Sequence, residues 1–256
     1  SMTFIASFLF GLVTVPISMI VAKRLGLVSR VRRDRWNKNE NIPRIAGPAI
    51  LIASAPFLDF PQLLVLAGFC ATGLIDDVRE LNPGLKAALL IIPSLMAGIV
   101  TESVYVGVLC WIFANCYNLL DHADGLAGAV ALVVLALGGG SGGLVLAGAC
   151  AAFLVFNYPP ARTFMGDSGS LTLGAAAVLF TSEVSGASAI LILNIVPLVD
   201  TVYVVSKRLY SGRKPWVGGT DHTGHQVLKM GVPAKLLPVI FGGLTLIVIL
   251  ALRGGR

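Results

Sequence analysis

From residue 3 to residue 22 the chain reads TFIASFLFGLVTVPISMIVA, twenty residues without a charged side chain. Wound as a helix, a run of that length matches the hydrocarbon thickness of a bilayer. Ten such apolar segments can be marked, approximately 3–22, 45–58, 62–75, 85–100, 103–120, 125–138, 142–157, 169–182, 186–206 and 233–252. Several fall short of the roughly 20 residues of a straight span, so tilt, local thinning or helical continuation into the loops is required. Glycine, proline and small residues recur inside them, as suits closely packed membrane helices. Only 12% of the residues are charged and 56% are hydrophobic, against about a quarter charged in soluble domains. The mean hydropathy is +0.86. The expectation is an all-α polytopic membrane protein, about ten transmembrane helices in one domain over 1–256. Its surroundings are the lipid bilayer, and no nucleic acid is expected as a partner.

Charge sets the expected orientation. The loop 23–44 holds Lys23, Arg24, Arg30, Arg32, Arg33, Arg35, Lys38 and Arg44. By alternation Arg79, Lys86, Arg162, Lys207, Arg208, Arg213, Lys214 and Lys229 fall on the same side. The opposite loops hold Asp59, Glu102 and Glu183 but no lysine or arginine, and only Arg253 and Arg256 at the tail break the pattern. Positive residues mark the cytoplasmic side. Ten spans then put both termini outside a plasma membrane and the basic loops inside. The loop 23–44 reads as this orientation signal, with attraction to anionic lipid. The first span starts at once, without the short core and cleavage site of a removable signal peptide. The four cysteines, Cys70, Cys110, Cys116 and Cys150, lie in apolar segments and read as buried reduced thiols.

The acids gather on the basic side. GLIDDVRE, residues 73–80, puts Asp76 and Asp77 at a span end. In NCYNLLDHADGLAG, residues 115–128, Asn115, Asn118, Asp121 and Asp124 recur every third position. If helix persists, that spacing stacks them along one slowly rotating stripe. FNYPPARTFMGDSGSLTLG, residues 156–174, has Asn157 at a span end, a helix-breaking Pro159-Pro160 pair, and Gly166-Asp167-Ser168-Gly169 before the next helix. Such a helix start favours phosphate oxygens. GGTDHTGHQVLKMG, residues 218–231, carries Asp221, His222 and His225, and Asp200 lies inside the ninth segment. An ionisable group inside a span marks function by default. Clustered Asp and Asn oxygens suit Mg²⁺, which takes one or two carboxylates and completes its shell with water and phosphate. The combination reads as phosphoryl transfer at the membrane surface.

LIDDVRE, NxxNxxDxxDGLAG, FNYPPARTFMGDSGSLTLG and DHTGH resemble, in order and over nearly the whole chain, the four motifs of the polyprenyl-phosphate N-acetylhexosamine-1-phosphate transferases. The resemblance implies transfer of an N-acetylhexosamine-1-phosphate from a UDP-sugar to a polyprenyl phosphate. UMP is released and Mg²⁺ is required, with Mn²⁺ able to substitute. The active site would open at the cytoplasmic face. Asp76 and Asp77 match the family's aspartate pair, one of them a base for the acceptor phosphate. Lys86 matches a lysine on the pyrophosphate, Asn118 and Asp167 match metal ligands, and His225 matches the histidine near the phosphates. Asp121, Asp124, Asn157 and Phe164 match the uridine pocket, with Phe164 stacking on uracil. Asn115, Asp200, Asp221 and His222 join the substrate-binding set. A second copy of the chain is a candidate partner. The displacement is direct or passes through a phosphorylated aspartate.

The chain leaves the pattern twice. Residue 122 is His where the family usually has Gly: either the local turn is an ordinary right-handed step that His takes without a role, or the imidazole contacts uridine or phosphate and gains charge near pH 6.5. DHTGH replaces the HxHH-type run of the lipid I enzyme and favours a simple UDP-GlcNAc-type donor over UDP-MurNAc-pentapeptide. From other classes, an ion-coupled secondary transporter would place its acids at the bilayer midplane within repeats. A hydrolase of lipid pyrophosphates would have no use for the asparagine-rich pocket.

Overall fold

The computed structural model describes residues 1–29, 41–184 and 186–254. The basic residues Arg30, Arg32, Arg33, Arg35, Lys38 and Arg256 lie outside them. Among the described residues the fold is helical, with one isolated bridge between Val28 and Pro43. In chain order the helices are α1 (Met2–Arg24), α2 (Gly47–Ser54), α3 (Phe60–Arg79), α4 (Pro83–Leu89), α5 (Ile91–Val100), α6 (Val104–Leu120) and α7 (Leu126–Gly138). There follow α8 (Gly140–Asn157), α9 (Gly166–Val184), α10 (Ala187–Leu193), α11 (Ile195–Tyr210), α12 (Thr223–Lys229) and α13 (Leu237–Gly254).

All ten apolar segments lie on helices, and two of them are broken. The fourth splits at Leu90 into α4 and α5, and the ninth at Asn194 into α10 and α11. The cause is the same in both. Pro93 and Pro197 each sit at the third position of the second helix. A proline lacks the N–H for the i−4 bond, and its ring crowds the i−4 carbonyl. Those carbonyls belong to Leu89 and Leu193, where α4 and α10 end. Five helical stretches are long and apolar enough to cross a membrane: Met2–Arg24, Phe60–Arg79, Pro83–Val100, Gly140–Asn157 and Ala234–Arg253. Gly47–Phe57, Val104–Leu120 and Leu126–Gly138 are apolar but shorter.

The helices are turned for lipid. α1 exposes Ile5, Leu9, Val13, Ile17 and Ile20, and buries Ser7, Gly11, Val15 and Ala22 against α8 and α2. A helix with its larger apolar residues outward suits hydrocarbon, where packing selects small residues at the helix interface. At the centre stands α9, buried continuously from Ser168 to Thr181 and touched by α2, α3, α6, α7, α8 and α10. Small residues make that possible. A Cβ on Gly174 would lie 2.8 Å from Ala114 Cα of α6. All four cysteines are buried and free. Because α3, α6 and α9 pack together, their ends carry Asp76, Asn118 and Asp167 to one place.

Candidate active site

The first cluster forms where α3 turns into α4. At the end of α3, Glu80 takes a left-handed conformation, φ +45°. Asp76 Oδ1 then accepts from Leu81 N at 2.6 Å, which closes the turn. Asn82 caps α4 by accepting from Gly84 N at 2.9 Å, and Pro83 opens the helix. The chain thereby doubles back and brings Lys86 beside the aspartate it left. Lys86 Nζ donates to Asp76 Oδ2 at 3.1 Å and Asn118 Oδ1 at 3.3 Å, and it ion-pairs with Asp167 Oδ2. Asn118 Nδ2 in turn donates to Ser170 Oγ at 3.0 Å. Residues from α3, α4, α6 and α9 meet at one ammonium.

Asp77 is placed differently from its neighbour. It is 5% exposed and accepts from Asp167 N at 2.9 Å, Ser168 N at 3.0 Å, Ser168 Oγ at 2.9 Å and Arg44 Nη2 at 3.3 Å. The first amides of α9, which the sequence offers to phosphate, are satisfied by the protein's own carboxylate. Asp77 therefore complements the positive end of the central helix. Gly166 makes the approach possible at φ +69°. Gly73 of α3 also helps, because a Cβ there would overlap the backbone of Asp167 and Ser168.

Three oxygens, from Asp76, Asn118 and Asp167, converge on the lysine ammonium. Two carboxylates and one carbonyl around a single cationic point form a hard-oxygen donor set that fits Mg²⁺. A second candidate does not fit a divalent ion. Donor atoms of His122, Asp200 and His222 lie within 4.8 Å of one another. Yet the guanidinium of Arg208 sits 3.3 Å from His222 Nε2, and Asp200 already receives three hydrogen bonds.

The stripe from Asn115 to Asp124 does not form, because α6 stops at Leu120. Asn115 Nδ2 donates back to Trp111 O at 2.8 Å within its own helix. Asp121 is the half-buried residue that ends α6. Asp124 Oδ2 accepts from Ala161 N at 2.9 Å. Buried Asn157 spends its amide on backbone, accepting from Gly125 N at 2.9 Å and donating to Thr163 O at 2.8 Å. These bonds tie the α6–α7 loop to residues 158–165. Phe164 is half-buried there, its backbone held by Pro43 and Ala46.

The second cluster joins α11, α12 and the start of the α6–α7 loop. Buried Asp200 accepts from His222 Nδ1 at 3.0 Å, Thr223 N at 2.8 Å and Thr223 Oγ1 at 2.6 Å. Arg208, two turns along α11, is 1% exposed and donates to Pro215 O at 2.6 Å and Asp221 Oδ2 at 3.2 Å. Arg213 Nη1 adds a contact to Asp221 at 3.0 Å. Burial raises the Asp221 pKa, but the Arg208 and Arg213 contacts outweigh it and hold the carboxyl below its usual range. Burial and the neighbouring His222 and Lys229 push His225 down to about 4. His122 lies under two rings, with centroids 4.2 Å from His222 and 4.7 Å from His225. Burial, then His222, hold it well below its ordinary value. The expected gain of charge near pH 6.5 is therefore not what this environment supports.

The sequence marks Arg44 and Arg208 only as orientation charges, yet both bind site carboxylates. A signal is present for one of them. Asp200, Val204 and Arg208 recur every fourth residue and are all buried, so they share one face of α11.

Residues 94–185, which run from α5 to α9, match the profile of Glycosyl transferase family 4. A Streptomyces coelicolor protein named as a glycosyltransferase is 32% identical over 96% of this chain and 67% of its own length. A Bacillus subtilis protein named as an undecaprenyl-phosphate N-acetylglucosaminyl 1-phosphate transferase is 26% identical over 91% of this chain and 78% of its own. The phospho-N-acetylmuramoyl-pentapeptide-transferase of Acetivibrio thermocellus is 30% identical over 79% and 76%. The profile covers Asn118 and Asp167. The longer alignments extend over most of the chain.

Proposed function

The chain belongs to glycosyl transferase family 4, the polyprenyl-phosphate N-acetylhexosamine-1-phosphate transferases, and from that premise we propose a UDP-GlcNAc-type donor and a polyprenyl phosphate acceptor. The observation that carries the reading is the convergence of Asp76, Lys86, Asn118 and Asp167. Four elements bring two carboxylates, an amide and a cation to one point, as in-line phosphoryl transfer needs.

Asp76 and Asp77 divide the work. The oxygens of Asp77 are committed to α9 and Arg44, whereas Asp76 Oδ2 meets only side chains of the cluster, the Lys86 ammonium and the neighbouring Asp167 carboxyl. Asp76 is the carboxylate able to take the acceptor phosphate's proton. An acceptor oxygen then forms a bond to the sugar-linked phosphorus. The bond from that phosphorus to the bridging oxygen breaks, and UMP leaves with the electron pair. Lys86 releases Asp76 and Asp167 and carries its charge to the pyrophosphate. Asp167 and Asn118 would hold Mg²⁺, which when bound would neutralise charge on the pyrophosphate. Asp124 and Asn157 shape the wall beside which Phe164 stacks on uracil.

The basic loops support a cytoplasmic active site in the plasma membrane, with ten helical passes and both ends of this chain outside. The DHTGH run supports the small donor, and so does the extent of the Bacillus subtilis alignment. The purified chain is to be given polyprenyl phosphate and a panel of UDP-sugars, with UMP measured. UMP from UDP-GlcNAc or a close N-acetylhexosamine is the expected outcome. Release from UDP-MurNAc-pentapeptide alone would overturn the donor assignment. Release from no donor would overturn the reaction.

A further inference from the structure

Residue 122, where the chain departs from the family's usual glycine, and DHTGH, where it departs from the HxHH-type run of the lipid I enzyme, touch each other. Set against an HxHH run beginning at His222, the position without its histidine is Gly224, and the histidine gained is His122. A Cβ on Gly224 would lie 2.5 Å from His122 Nε2 and 3.0 Å from Leu126 Cδ1. That distance is shorter than real Cβ contacts allow, so something would have to move. The His122 ring has little room to yield. It is packed against His222 at 4.2 Å and His225 at 4.7 Å, and its Nδ1 faces Leu119 O at 3.3 Å. A carbonyl accepts, so Nδ1 carries the proton and Nε2 presents a lone pair over Gly224.

We propose that His122 supplies from the α6–α7 loop the imidazole that α12 lacks at residue 224, and that it is a positioning residue for His222 and His225. Both nitrogens of His222 are engaged, by Asp200 and Arg208. Its ring is therefore a fixed wall. His122 stacks on that wall and also packs against His225, the three rings closing a triangle in which His222 and His225 are 5.8 Å apart, and His225 Nδ1 has no hydrogen-bond partner among the described residues. No hydrogen bond on that nitrogen orients the His225 ring, so packing does. The missing side chain at 224 is what lets His122 enter. Exchanging the two residues, His122→Gly together with Gly224→His, fills the same space from the α12 side, whereas Gly224→His alone overfills it.

The inference rests on the proposed transfer reaction only for its second arm. The first arm is thermal unfolding of the purified chain in detergent. Gly224→Ala should lower Tm by about 2–4 °C in the wild-type background. In a His122→Gly background the same change should leave Tm level or raise it, because alanine favours helix once the space is free. An equal loss in both backgrounds overturns the interlock. The second arm is UMP release. His122→Gly should lower kcat roughly tenfold to a hundredfold, the scale for a misplaced catalytic group, with KM for the UDP-sugar little changed. Gly224→His alone should be poor, and His122→Gly with Gly224→His should regain most of the lost kcat. A double variant no better than His122→Gly alone overturns the positioning role. If the wild type releases no UMP, the reaction assignment fails, and the unfolding arm still decides the interlock.

Discussion

The acid–lysine cluster and the histidine cluster lie on either side of the end of α6, reached by Asn118 and His122, yet they are held in opposite ways. In the first, three site oxygens meet on the tip of Lys86. A lysine ammonium is a point charge on a flexible stem and can leave without breaking the fold. In the second, Arg208 is fixed by Pro215, Asp221 and His222, and the rings of three histidines pack against one another, His122 stacked on His222. A planar guanidinium bound at several points does not exchange in that way. On the proposed reaction, the first region would trade a tethered cation for substrate and metal. The other is arranged to keep its shape.

The largest expected effect follows from the exchangeable side. Asp167→Asn removes a charge that pairs with Lys86 and, in the proposed reaction, would hold Mg²⁺, and turnover should fall at least about a thousandfold, several kcal/mol of barrier. The fold should persist, because Asp77 caps α9 through the backbone amide of residue 167 and not its side chain. Steady-state UMP release with circular dichroism checks this. A near wild-type rate with unchanged Mg²⁺ dependence would remove Asp167 from the centre.

The aspartate pair sharpens the comparison at the next scale. Asp76→Asn should depress kcat strongly and leave Tm near wild type. Asp77→Asn should destabilise by about 1–2 kcal/mol, the scale of a lost helix cap, since a neutral amide complements the end of α9 less well. Thermal unfolding and kinetics on both variants separate the two roles. If Asp77→Asn left Tm unchanged while Asp76→Asn lowered it, the assignment would be reversed.

Much of this was legible in the sequence, and the failures have physical causes. The apolar runs place every helix except the short α12, because in a bilayer an apolar stretch has helix as its ready solution. Pro93 and Pro197 are also in view, but the breaks they cause at Leu90 and Asn194 depend on their place early in a helix. The gathering of acids at one side follows from alternation. What spacing could not separate was Asp76 from Asp77, which are adjacent in sequence and differ only through the α9 amides that Asp77 meets. The Asn115–Asp124 stripe assumes a helix that ends at Leu120. Arg208 looks like a loop charge, although its four-residue spacing from Val204 and Asp200 marks an inward face.

Phe164 tests the substrate side of the first region. Phe164→Ala should weaken UDP-sugar binding by about 1–3 kcal/mol if the ring stacks on uracil, and it should spare the lipid phosphate. Calorimetry with each substrate checks both halves. Unchanged UDP-sugar affinity would return the ring to packing.

The smallest effect belongs to the rigid region and is read in pH. His225 is pushed down to about 4 by burial, His222 and Lys229, with Asp200 and Asp221 opposing. In the unfolded chain a histidine titrates near 6.5. Below that value the unfolded state binds the proton and the folded state does not, so stability is lost as pH falls from about 6.5 to about 4. Above about 6.5 this contribution no longer changes with pH. Tm against pH should therefore fall on the acid side, and less steeply in His225→Ala. Identical slopes would mean that His225 is not held neutral.

The central claim is that the meeting point of Asp76, Lys86, Asn118 and Asp167 is a phosphoryl-transfer centre. The direct measurement is UMP formation from UDP-GlcNAc by the purified chain, with and without undecaprenyl phosphate, and with Mg²⁺ or EDTA. The account predicts UMP only when the lipid phosphate and Mg²⁺ are both present, with an equal amount of sugar-1-phosphate joined to the lipid. UMP formed without the lipid, or undiminished in EDTA, would contradict it.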